Sequence, residues 1–188
     1  MKERLFTIPN IVSLCRLAAV PVVWIWAFQG KSQWVGISVF VLLLSDILDG
    51  LLARLLNQIT ELGAKLDSFA DNLLVPSTLI WLLMLQPEIL RGLNLLIFLV
   101  GAGSLILLQL ITYLKFKRYP PNLHLYSAKA SGVFGAVFIM HALVFGLHPV
   151  MYYLAAGLLI LSNSEGILLV LTRSEVHENM GSIFRKSA

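Results

Sequence analysis

Six apolar runs, each close to the roughly 20 residues that a helix needs to cross a bilayer, take up most of this chain. They cover about residues 11–28, 34–55, 62–85, 93–114, 128–145 and 151–171. Between them stand Gln29-Gly30-Lys31, the polar residues 56–61, Gln86-Pro87-Glu88, the basic stretch 115–126 with Pro120-Pro121, and residues 146–149. Backbone in hydrocarbon must bond to itself, so runs of this kind are read as helices. The expected fold class is all-α: a polytopic membrane protein with six transmembrane helices. The 188 residues leave no room for a soluble domain, and 58% hydrophobic against 13% charged residues is not a soluble composition. Residues 1–188 therefore read as a single membrane domain. Residues 1–9 mix Lys2, Glu3 and Arg4 with Leu5, Phe6 and Ile8 before Pro9. They predict a short amphipathic segment on the membrane surface, parted from the first span by the proline. It is retained, since no small-residue cleavage site follows. Residues 173–188 form a polar cytoplasmic tail. The lone Cys15 excludes an intrachain disulfide.

Loop charge orients the chain. With both termini inside, Lys2, Arg4, Arg54, Lys115, Lys117, Arg118, Lys129, Arg173, Arg185 and Lys186 lie at the cytoplasmic side, and only Lys31 and Arg91 lie opposite. The net charge of +4 is then a match for anionic lipid headgroups, with no nucleic-acid partner called for. The expected location is the cytoplasmic membrane of a bacterium or archaeon.

Against this apolar background the stretch 46–71 stands out. It places Asp46 and Asp49 at i, i+3 near the end of the second run, and Asp67 and Asp71 at i, i+4 at the start of the third. Each pair falls on one face of its helix. The short connection makes these two helices antiparallel neighbours, so both pairs lie near one membrane surface, the cytoplasmic one, and can converge. A carboxylate at bilayer depth costs roughly 2.5–3.5 kcal/mol, so four of them require water, cations or partners. Carboxylates without a cluster of His or Cys favour a hard, oxygen-loving cation: Mg2+ or Mn2+, with two ions able to clamp a diphosphate. The alternative is a set of helix caps or salt bridges to Arg54 and Lys65. Gly50, Ala53 and Gly63 lie beside the aspartates and let a flat base or a second helix approach the backbone. Arg54 reads as a phosphate contact or as an anchor snorkelling to the surface.

The spacing D-x2-D-G-x2-A-R-x8-G-x3-D-x3-D is filled without a mismatch by Asp46, Asp49, Gly50, Ala53, Arg54, Gly63, Asp67 and Asp71. Eight fixed residues recur by chance on the order of once in 10^10 starting positions at average usage. The pattern resembles the signature of the CDP-alcohol phosphotransferase family, integral membrane enzymes of phospholipid synthesis. The resemblance implies that Asp46, Asp49, Asp67 and Asp71 touch the metals and that Asp71 is the base that deprotonates the acceptor hydroxyl. It implies CDP-diacylglycerol as donor, a polar alcohol as acceptor, CMP as leaving group, and a homodimer. The nucleotide would be held at Gly50, Ala53, Arg54 and Gly63.

The first span opens Pro9-Asn10-Ile11-Val12-Ser13-Leu14-Cys15-Arg16, with Pro21 further on. It resembles a P-N-x2-[ST]-x2-R-x4-P opening of phosphatidylglycerophosphate and cardiolipin synthases in that family. By that resemblance Asn10 and Ser13 help to hold the cytidine nucleotide; Asn10 reads equally as a helix N-cap. Arg16 is a phosphate contact, possible in acceptor binding, or an aspartate partner, with snorkelling as the alternative. Lys129 resembles a lysine used near an anionic acceptor and also reads as an interfacial anchor; Arg118 is a candidate of the same kind. Glu165, amid apolar residues, is expected to face the bundle, opposite Lys129 or at the acceptor.

The fourth run departs from the relatives. Phosphatidylglycerophosphate synthases carry charged residues there, whereas residues 92–114 are uncharged, with Asn94, Ser104, Gln109, Thr112 and Tyr113 as the polar ones. The expected acceptor is glycerol 3-phosphate or phosphatidylglycerol, with inositol phosphate or another alcohol as the alternative. An ion-coupled transporter is the rival from another class. It predicts an internal inverted repeat, and none is visible. His124, His141, His148 and His177 share no spacing for a metal site.

Overall fold

A computed structural model describes residues 8–55, 61–116 and 125–172. Within these, the side chains of residues 8–10, 47, 49–54, 61, 62, 64, 65, 67, 68 and 71 are outside the description. The described residues form six α-helices: α1 Ile8–Phe28, α2 Ser32–Leu55, α3 Glu61–Leu85, α4 Gly92–Phe116, α5 Tyr126–Phe145 and α6 Pro149–Thr172. A single 3-10 turn spans Pro87–Leu90. The all-α expectation holds, with each helix starting slightly before the apolar run it contains.

The largest shift in a boundary is at the start. Ile8 and Pro9 belong to α1, so Pro9 does not separate a surface segment from the first span. The first turn of a helix has no use for its N–H groups, and proline is tolerated there without loss. Residues 1–7 of the expected amphipathic segment, and the tail 173–188, lie outside the described residues. Asn10 consequently stands inside the first turn of α1 and not ahead of it, which removes its reading as an N-cap.

Four helices are long and apolar enough to cross a membrane: Ile11–Phe28 within α1, and the whole of α4, α5 and α6. In α2 and α3 the uninterrupted apolar stretches are shorter, Ser32–Asp46 and Asn72–Leu85, because each helix has an acidic end. Large apolar side chains such as Ile25, Phe40, Val75, Ile106 and Leu154 are exposed. Such a surface is stable in hydrocarbon and not in water. The chain is an integral membrane protein with four candidate spans.

The chain separates into two compact units. The first holds α1, α2, α3 and the final turn of α5. Here α1 packs along both α2 and α3, and α2 also meets α3. Its seam is lined by Val20, Val23 and Ala27 of α1, Val35, Val39 and Leu42 of α2, and Leu74, Trp81 and Leu82 of α3. Trp24 lies edge-on to Trp81, their centroids 5.7 Å apart, and donates its indole N–H to Ser77 Oγ at 3.3 Å. The end of α5 is held by Ser32 Oγ, which donates to Leu143 O at 2.6 Å, and by Gln86 Nε2, which donates to Ala142 O at 2.8 Å. The helix ends are closed where the sequence places glycine. Gly30, at φ 69°, lets its N–H reach Ala27 O while the Lys31 N–H reaches Trp26 O, both at 3.0 Å.

The second unit is built on α4 packed along α6. Polar contacts staple that seam at both ends and in the middle. Tyr152 O–H donates to Asn94 O at 2.7 Å near one end. In the middle Asn163 Nδ2 donates to Ser104 Oγ at 2.9 Å. At the other end Lys115 Nζ donates to Val170 O at 2.6 Å, so a cation sits on the carbonyl end of α6, where the helix dipole favours it. Between the staples Gly166 lies against Leu108, and Leu125 and Leu169 form a small apolar core with Phe116 and Ala128.

Candidate active site

The first unit changes character along its length. Toward one end its seam is apolar, and toward the other the same helix faces turn polar. On α1 the buried stripe Val20, Val23, Ala27 runs back through Arg16 and Ser13, both buried. On α2, at about 100° per residue, the positions of Asp46, Asp49, Gly50 and Ala53 continue the stripe of Val35, Val39 and Leu42 to within roughly 60°. On α3 the positions of Gly63 and Asp67 continue the stripe of Ala70, Leu74, Ser77 and Trp81 within a similar arc, and that of Asp71 stands roughly 90° from its centre, on the side of buried Thr78 and Leu82. Both acidic pairs therefore stand on the sides of α2 and α3 that those helices bury further along. Only residues 56–60 join the two helices, so both acidic ends lie at the same end of the unit.

The described contact in this region is an ion pair. Arg16 Nη1 donates to Asp46 Oδ1 at 2.6 Å, with the Arg16 side chain fully buried (0% exposed) and that of Asp46 38% exposed. Full burial is incompatible with an arginine snorkelling to the surface; the guanidinium goes instead to an aspartate of the neighbouring helix. The bond is short and charge-assisted, among the stronger kinds of hydrogen bond. An ionised carboxylate has about four lone-pair sites on two oxygens.

The other predicted residues divide by what the structure describes. Asn10, Asp49, Gly50, Ala53, Arg54, Asp67 and Asp71 have helical backbones, but their side chains lie outside the described residues, and Arg118 lies outside them altogether. Gly63 is half-buried in the first turn of α3. Among the described residues no three His, Cys, Asp or Glu side chains are assembled as a metal cluster. Lys129 is exposed in the first turn of α5, and Glu165 is half-buried on α6. Sequence reasoning weighed an aspartate partner for Arg16 without identifying which one. It noted Asn94 and Ser104 only as polar residues, and did not see that they bind α4 to α6.

The oxygen-only donor set at these positions fits a hard divalent cation. Of the four aspartates Asp46 is the one whose side chain is described, paired with a guanidinium and 38% exposed.

Known proteins share this sequence. A cardiolipin synthase (CMP-forming) of Streptomyces coelicolor is 42% identical over 126 residues, which is 63% of this chain and 56% of that protein. A CDP-diacylglycerol–glycerol-3-phosphate 3-phosphatidyltransferase of Rickettsia bellii is 37% identical over 79 residues, 40% of this chain and 44% of the relative. A probable phosphatidylglycerophosphate synthase of Mycobacterium tuberculosis is 38% identical over 90 residues, 45% and 43% of the two chains. The chain thus spans about half the length of the curated relatives it matches. The family profile described as CDP-alcohol phosphatidyltransferase covers far more, residues 6–170, from the first turn of α1 almost to the end of α6. With the acidic ends of α2 and α3 and the arginine of α1 all inside that match, the chain belongs to the CDP-alcohol phosphatidyltransferase family of enzymes.

Proposed function

We propose that this chain transfers a phosphatidyl group from CDP-diacylglycerol to the hydroxyl of a polar acceptor and releases CMP. The acceptor is glycerol 3-phosphate or phosphatidylglycerol. What supports this reading is the ion pair of buried Arg16 with Asp46, together with the helical periodicity that sets the positions of Asp49, Asp67 and Asp71 toward the sides α2 and α3 bury further along. Carboxylates so placed would be costly without a cationic substrate complex to hold.

Members of the family use a divalent metal ion. Asp46, Asp49, Asp67 and Asp71 would hold Mg2+ or Mn2+, two ions in this reading, which when bound supply neutralising charge to the diphosphate. The remaining work belongs to the chain. Asp71 takes the proton of the acceptor hydroxyl as its oxygen bonds to the phosphorus that bears diacylglycerol. The bond from that phosphorus to the oxygen of CMP breaks, and the electron pair leaves with CMP. Asn10, Ser13, Gly50, Ala53, Arg54 and Gly63 hold the nucleotide end of the donor. Arg16, Arg118, Lys129 and Glu165 are the candidates for guiding the acceptor. Positioning and fixed charge supply most of the rate, as in other phosphoryl transfers.

The reading also includes six membrane crossings, with α2 and α3 completing the four candidate spans, a homodimer, and termini and acidic site on the cytoplasmic side. Of the two acceptors, phosphatidylglycerol fits α4 better. That helix has no charge between Gly92 and Leu114, its Asn94 and Ser104 are engaged by α6, and Lys115 in its last turn donates to Val170 O, so its length offers no cation for the phosphate dianion of glycerol 3-phosphate. The longest similarity among the relatives named above is also to a cardiolipin synthase.

The test incubates purified protein with CDP-diacylglycerol labelled in the cytidine, Mg2+ or Mn2+, and a panel of acceptors that includes glycerol 3-phosphate, phosphatidylglycerol and inositol phosphate. CMP release that depends on one acceptor is the expected result. No CMP with any acceptor would sink the proposal.

A further inference from the structure

We propose that Arg16 is a positioning residue for the acidic site, fixing the carboxylate of Asp46 in one orientation before a divalent cation arrives. This rests on the reading of Asp46 as a metal-holding residue and adds to it a part played by α1.

Three observations carry the inference. Arg16 Nη1 lies 2.6 Å from Asp46 Oδ1, across the seam between α1 and α2. The arginine side chain has no exposed surface, whereas Asp46 is 38% exposed, so the pair has a fixed partner and an accessible one. Arg16 also stands in the packed stripe of α1, one turn from buried Ser13 and one turn from buried Val20. A guanidinium locked by packing offers its donors in a rigid plane. Groups that hold a metal-binding carboxylate in this way typically matter by about 10–100-fold in metal affinity.

The sign of the effect separates this role from a simpler one. Arg16 is itself a cation, and its charge alone opposes a second cation nearby. If it acted only by charge, its removal would strengthen metal binding. If it acts by holding Asp46 in place, its removal weakens binding in spite of the relief of repulsion.

The experiment titrates Mn2+ into detergent-purified, metal-stripped protein and follows the loss of the free-ion signal by electron paramagnetic resonance, with no substrate present. Arg16→Gln is expected to bind Mn2+ about 10–100-fold more weakly than the unaltered chain. Arg16→Lys, which keeps charge but not the planar fork, should fall between them and serves as the test should the glutamine variant fail to give a monodisperse protein. In an Asp46→Asn background, Arg16→Gln should change the affinity little further, because the proposed effect of Arg16 passes through the carboxylate of Asp46. Unchanged or tighter binding in Arg16→Gln, or in Arg16→Lys where that variant stands in, overturns the inference. So does an undiminished effect of Arg16→Gln in the Asp46→Asn background. Should Asp46→Asn itself leave Mn2+ binding intact, the metal-holding reading fails first; a weakened Asp46→Asn beside an unaffected Arg16→Gln refutes the positioning role alone.

Discussion

Replacing Gly36 with alanine puts a methyl group where the structure has no room for one. Built on α2, the new Cβ would stand 2.6 Å from Val144 Cγ2, 3.0 Å from Leu143 Cβ and 3.2 Å from the Val144 backbone nitrogen. Carbon atoms pack at about 3.5–4.0 Å, so the methyl enters the nearest contact by roughly 1 Å. Neighbours cannot easily withdraw. Val144 is β-branched and stiff at χ1 on a helix. Leu143 and Ala142 are tied through their carbonyls to Ser32 and Gln86. Overpacking of this kind costs about 1–3 kcal/mol. Alanine recovers about 0.5–1 kcal/mol through its better helix propensity. The steric term wins, for a net loss of about 1–2 kcal/mol, or roughly 2–8 °C in thermal midpoint for a chain of this size. The assay is the loss of the monodisperse size-exclusion peak after heating in detergent. Gly157→Ala on α6 is the matched control, since a Cβ there meets nothing within 4 Å, and it should hold or raise the midpoint. Equal midpoints for the two variants would refute the close approach of α2 to the end of α5.

Other perturbations test the second unit and the chemistry. Asn163→Leu should lower the midpoint by the equivalent of about 0.6–2 kcal/mol, and a cycle with Ser104→Ala should show the two changes coupled; simple additivity would contradict the α4–α6 staple. Chelation by EDTA should stop acceptor-dependent CMP release, and Mg2+ or Mn2+ should restore it; turnover that survives chelation would rule out the divalent site. Asp71→Asn should reduce turnover by roughly 10^2–10^4 while leaving nucleotide binding largely intact, measured by CMP release and by CDP binding, and undiminished turnover would remove Asp71 from the role of base.

The helices were legible because their signal is one-dimensional: apolar runs of bilayer length, interrupted by Gly30, Pro87 and Gly146. Pro9 misled because a proline is read as a break, although in a first turn its missing N–H breaks nothing. The acidic positions were legible from spacing, which fixes a helix face without any tertiary information. What spacing could not supply was partnership. Arg16 carried three readings; its burial rules out snorkelling, and its distance to Asp46 names an aspartate partner that spacing had left open. The α4–α6 pairing was hidden more deeply. Both helices are apolar all round, so no stripe marks the contact side, and Asn94, Ser104, Tyr152 and Asn163 become a pattern only when residues nearly sixty positions apart are set side by side.

That separation has a consequence for how the chain is made. Asn94 and Ser104 leave the ribosome 58 and 59 residues before Tyr152 and Asn163. At about 5–20 residues per second, the fourth helix waits roughly 3–12 s for the sixth. During that interval the Asn94 carbonyl and the Ser104 hydroxyl oxygen lack the donors that Tyr152 and Asn163 will bring. A chain cut short after α5 would keep that condition permanently, which gives cellular surveillance a means of recognising an incomplete copy of this protein.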